Sequence, residues 1–161
     1  MNTTIATGTP PSDGFLAWRA YCKAHPDLQI GKLMQRGTAH LSDAEIAAYD
    51  APYPDARYKA GVRAFPEIVM TGPGMPGVSE SVSAEKYWST RWNGQTFMAI
   101  GATDPVLGLE VMEALRTKIR GCPPPLIVRN AGHFVQEWGE NVASAALASF
   151  AQDAARVSSI T

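Results

Sequence analysis

At 161 residues, with 45% hydrophobic residues and 15 acidic against 14 basic side chains, the chain is one globular domain or part of a larger one. The near-zero charge and the lack of a basic stripe interleaved with aromatics exclude a nucleic-acid surface, and no apolar run approaches the roughly 20 residues of a membrane span. Cys22, Cys122, His25, His40 and His133 show no ligand spacing, so free buried thiols in a reducing compartment are expected, and no metal.

The opening MNTTIATGTPPSDG has no charged segment followed by an apolar one, hence no leader pattern, which points to the cytoplasm. Residues 2–6 read as a strand stub. Asp13 is placed to cap a helix over GFLAWRAYCKA, where Phe15, Leu16, Trp18 and Cys22 fall near helical spacing. Asp27 is placed to cap LQIGKLMQR, which Gly37 ends. Ser42 and Glu45 form a capping box before DAEIAAYD, with Leu41 as its staple residue. PYPDARYKAGVRAFP reads as a short helix, GPGMPG as a loop and SAEKYWSTRW as a further helix.

From Gln95 the pattern becomes strand, helix, strand, helix: TFMAIG, LGLEVMEALRTKI, PLIVRN and GENVASAALASFAQDA. Leu109, Met112, Leu115 and Ile119 share one face of the first of these helices. Such alternation means an α/β fold, a parallel sheet with helices packed on it. Parallel sheets are covered on both faces and have more than two strands. The expectation is therefore the C-terminal part of a larger α/β domain, whose missing N-terminal core segment is supplied covalently or as a separate chain. The alternative is a small three-layer protein complete in itself.

Function in open α/β sheets gathers at the C-terminal strand ends. Asp104 follows FMAIGAT, and His133 follows LIVRNAG. A carboxylate that orients an imidazole base is hydrolase chemistry, and the order acid then histidine matches the α/β-hydrolase order of nucleophile, acid, histidine. The nucleophile is missing. GVSES at Gly77–Ser81 is the nearest string to an elbow, but it lacks the second glycine and follows a loop instead of a strand.

The strings WNGQTFMAIGATDPVLG, IRGCPPP and AGHFVQEWGENVA closely resemble the C-terminal core of haloalkane dehalogenases, in particular the subfamily that binds halide with two tryptophans. The resemblance runs back through AEIAAYDAPYPDARYKAGVRAFP and DGFLAWRAY to MNTT, nearly the whole chain in one register. It implies an α/β-hydrolase fold represented by its C-terminal part only. Residues 1–72 would be the end of a core strand and the helical cap, and 73–161 the C-terminal core with the last two parallel strands. It implies His133 as the base that activates water on an alkyl-enzyme ester, and Asp104 as the acid that fixes the histidine's tautomer. Trp18 would hold the departing halide through its indole N–H, and Phe15, Phe65, Pro66, Val69, Val106 and Leu107 would line an apolar pocket. By periodicity alone, Trp18 and these pocket residues are ordinary core positions.

The implied partners are a small apolar halogenated substrate, a halide ion and water, with no cofactor. The nucleophilic Asp and the second halide Trp have no counterpart here, so no turnover is expected of the chain alone. Gly37, in LMQRGTAH, stands where related sequences carry tryptophan, which implies a roomier pocket. Two other readings stay open. One is a different capped α/β-hydrolase such as an epoxide hydrolase, for which Tyr21, Tyr49, Tyr53 and Tyr58 could act as acids. The other is a non-catalytic fragment that binds a partner chain.

Overall fold

The computed structural model describes residues 2–158, with side chains through residue 152. The chain forms two compact units, Ala6–Ser79 and Met1–Ile5 with Glu80–Thr161.

In the first unit, α1 (Asp13–Ala24) starts one residue earlier than Asp13 would set it: Ser12 is the cap, its hydroxyl accepting the Phe15 N–H at 3.3 Å. Asp13 lies inside the first turn, where a negative charge favours the helix dipole. The expected Asp27 cap of α2 (Ile30–Gly37) does not form, and Gln29 stands at that position with no side-chain bond. The free N–H of Gly31 instead donates to the Asp50 carboxylate at 2.9 Å, at the far end of α3 (Asp43–Asp50). A long-range carboxylate thus does what a local cap would do. Asp27 is engaged elsewhere, in an ion pair at 2.6 Å with the nearly buried ammonium of Lys59.

Gly31 has a packing reason as well. A Cβ there would come within 2.7 Å of Ile46 Cγ2 and 2.8 Å of Asp50 Oδ2, so glycine lets α2 and α3 approach closely. The Ser42–Glu45 capping box forms as the pattern predicts. The proline-flanked segment is a 3-10 turn, Ala56–Lys59, which continues as α4 (Ala60–Ile68). Leu28, Ile30, Met34 and Leu41 are buried in this unit, along with Cys22.

α5 (Val78–Thr90), which lies in the second unit from Glu80 onward, begins earlier than its sequence signal and leads to β1 (Ala99–Gly101). α6 (Leu109–Thr117), β2 (Leu126–Val128) and α7 (Gly139–Ser158) follow, with a 3-10 turn, Val135–Trp138, before the last. The strands pair in parallel with Ala99, Ile100 and Gly101 opposite Leu126, Ile127 and Val128. Each strand is three residues long, half of the six-residue segment expected for it. Met98 and Ile100 turn to the side covered by α6, where Met112, Leu115 and Cys122 complete a buried cluster with Ile5 and Ile119 against it. Leu109 is 43% exposed, so the apolar stripe of α6 is narrower than its spacing suggests. Residues 2–6 form no strand; Asn2 reaches Gly101 with its side chain instead. No helix among the described residues is long and apolar enough to cross a membrane.

Candidate active site

The site is built at the ends of the two strands, where parallel sheets collect function. β1 runs out through Ala102 and Thr103 to Asp104, while β2 runs out through residues 129–132 to His133. Hydrogen bonds hold the two exits side by side. Ala102 N–H donates to Val128 O at 3.1 Å, and both the N–H and the hydroxyl of Thr103 donate to Ala131 O at 2.9 Å.

His133 and Asp104, expected as a pair, meet: Nδ1 lies 2.8 Å from Oδ2. The carboxylate is 2% exposed and the imidazole 32%, so the acid is enclosed while the ring faces outward. The two oxygens have different partners. Oδ1 accepts the backbone N–H groups of Val106 at 2.9 Å and Leu107 at 3.0 Å. Asp104 is therefore both the turn-forming residue that its position after a strand suggests and the partner of the histidine.

Burial opposes ionisation of Asp104. The bond to His133, those from the Leu107 and Val106 N–H groups and the field of His133 outweigh it, and the carboxyl is brought from 3.8 down to about 2. With Nδ1 engaged, Nε2 is the ring atom left to take a proton. Such a pair can orient a base and stabilise its charged form without itself being protonated.

The depressed carboxyl has a consequence for stability. Its folded value lies below its unfolded one, so its ionisation favours folding above about pH 4. That contribution, about 2 kcal/mol from a shift of this size, is lost as pH falls through about 2. The parent chain is expected to lose this increment between pH 5 and pH 2 relative to Asp104→Asn. Urea midpoints across that range check it; a constant difference between the two proteins would contradict it.

The remaining residues implied by resemblance lie as follows. Val106 and Leu107 are half-buried beside Asp104, and their backbone contribution to its carboxylate is a role that side-chain reasoning missed. Trp18 and Phe15 are half-buried on α1, and Trp18 stacks on Tyr21 with ring centroids 6.1 Å apart. Tyr21 also stacks on His25 at 4.2 Å, and the Arg36 guanidinium lies over its ring. Pro66 is buried and Val69 half-buried. Phe65 departs from the core reading: it is 65% exposed, as is Ile68, one turn on along the same face of α4. Gly77 precedes α5 at a φ of +91° and follows a loop. Cys22 and Cys122 are free and buried, and burial raises both thiols. Among the described residues no three His, Cys, Asp or Glu side chains converge on a metal-sized site.

No family model matches the sequence. It is 36% identical over 137 residues to a haloalkane dehalogenase of Mycolicibacterium paratuberculosis, covering 83% of this chain and 44% of that protein. A haloalkane dehalogenase of Psychrobacter cryohalolentis is 35% identical over 147 residues, 88% of this chain and 48% of its own length. Among solved structures, the tetrameric haloalkane dehalogenase from Paraglaciecola agarilytica NO2 superimposes with a TM-score of 0.89 at 41% identity. That match covers 92% of this chain and 50% of the other. The chain thus spans about half the length of the relatives it matches.

Proposed function

From a chain related in sequence and fold to the C-terminal half of haloalkane dehalogenases, with the α/β-hydrolase architecture of that half, we propose hydrolytic dehalogenation as the activity of the whole protein. The observation that carries the proposal is the Asp104–His133 pair, held at 2.8 Å with the acid enclosed and the ring outward. In this reading a carboxylate outside these 161 residues attacks the carbon bearing the halogen, and halide leaves as an alkyl ester forms. His133 then takes a proton from water at Nε2. The resulting hydroxide attacks the ester carbonyl, and alcohol leaves with the substrate carbon. Asp104 holds the ring and balances its charge.

Trp18 is assigned to the departing halide, because an indole N–H in a dry pocket stabilises the charge that grows on a leaving group. Phe15, Phe65, Pro66, Val69, Val106 and Leu107 are assigned to the apolar lining, which suits a substrate with little to hydrogen-bond. Gly37, in place of a large aromatic, widens that lining. The 161 residues alone, without the attacking carboxylate, release no halide.

Bromide titration of the nucleophile-bearing protein, followed by tryptophan fluorescence, tests the assignment. The expected result is saturable quenching, weakened at least about tenfold in apparent affinity by Trp18→Phe, the effect of removing one hydrogen bond to an anion. An unchanged response in Trp18→Phe removes Trp18 from the halide site.

A further inference from the structure

Asn2 is 1% exposed, and its hydrogen bonds reach the site from a side the relay does not use. Its Nδ2 donates to Gly101 O at 2.9 Å, and its Oδ1 accepts the Gly101 N–H at 2.9 Å. One side-chain amide thus pairs with both backbone groups of the last β1 residue, as a neighbouring strand would. Its own N–H donates to the carbonyl of His133 at 3.0 Å. Gly101 in turn abuts the loop that carries the histidine: an added Cβ would meet the backbone of Ala131 and Gly132.

We propose that Asn2 is a positioning residue for the Asp104–His133 pair, its amide and backbone N–H together locking the end of β1 to the loop that holds His133. The three bonds close a circuit from Asn2 to Gly101, across the backbone contact to Gly132, and through His133 back to Asn2. Asp104 leaves β1 three residues past Gly101, and His133 is the next residue after Gly132. The circuit therefore governs the distance between the two groups.

The chemistry demands asparagine. At neutral pH only a short side-chain amide sets a donor and an acceptor side by side at this reach. An ionised aspartate would turn a second acceptor towards the Gly101 carbonyl, and alanine would leave buried polar groups unpaired. The inference rests on the proposed function only in naming His133 the base.

The test reads the pair itself, so it is independent of any dehalogenation. In the ¹⁵N-labelled chain, the proton between His133 Nδ1 and Asp104 is followed by NMR. Asn2→Ala is expected to speed its exchange with water about tenfold or more, as loss of roughly one hydrogen bond's worth of order would, while cooperative unfolding persists. Asn2→Asp is expected to do the same at neutral pH and to recover the slow signal near pH 5. There burial keeps the new carboxyl protonated, and a neutral acid again offers a donor beside an acceptor. Unchanged exchange in Asn2→Ala would overturn the proposal. If Asn2→Ala does not fold, Asn2→Asp decides: no loss at neutral pH, or a loss with no recovery near pH 5, overturns it.

Discussion

Gly101→Ala is expected to destabilise the protein by about 3 kcal/mol, the upper part of the range for overfilling a packed interior. An added methyl at the end of β1 would lie 2.9 Å from Ala131 O and 2.9 Å from the carbonyl carbon of Gly132, with Gly132 O closer still. A side chain in that place could rotate aside. Main chain cannot, so the loop must move, and His133 is its next residue. Two losses should therefore coincide. The unfolding temperature should drop by roughly 6–12 °C for a chain of this size, and the proton between His133 and Asp104 should lose its slow exchange. Gly61→Ala is the matched control. Gly61 lies in α4 with nothing within 4 Å of a new Cβ, so the change should be neutral or slightly stabilising. Thermal unfolding of the three proteins separates the cases; a Gly101→Ala loss no larger than the Gly61→Ala change would show that the loop yields freely.

His133→Gln, in the nucleophile-bearing protein, is expected to lower steady-state halide release by about 10³-fold, a typical contribution of a positioned general base and worth about 4 kcal/mol. Glutamine can still hydrogen-bond to Asp104 but cannot take a proton from water. Departure of halide, which precedes the step assigned to His133, should persist. The expected trace is a burst of one halide per active site followed by almost nothing, with alcohol lagging behind halide. Parallel halide and alcohol assays on rapid-mixing samples check it. Equal residual rates for both products, without a burst, would place His133 outside the hydrolytic step.

The Asp104–His133 pair was legible in the chain because each residue follows an apolar run that becomes a strand of one parallel sheet, and parallel strands bring their C-terminal ends together. Helices with local stop and start chemistry were legible for the same kind of reason: the Ser42–Glu45 box is complete within four residues. What the sequence misleads about is non-local. Asp27 looks like a cap, but Lys59, 32 positions away, takes it, and Asp50 caps α2 across a helix pair. Residues 2–6 look like a strand stub, whereas Asn2 meets β1 through its side chain, 99 positions away. TFMAIG and PLIVRN read as strands of full length, yet the ladder between them is three residues long, because each extends only where its partner runs beside it. Phe65 has the spacing of a core residue but lies on an uncovered face of α4, which periodicity along one helix cannot reveal.

The central claim is that Asp104 and His133 serve the second half of a two-step relay, acting on a covalent ester after the carbon–halogen bond has broken. The most direct measurement is the intact mass of the nucleophile-bearing His133→Gln protein after exposure to a 1-bromoalkane. The relay predicts a stoichiometric gain of one alkyl group that persists, while the parent protein returns to its unmodified mass. An unmodified His133→Gln protein that has nonetheless released halide would contradict it.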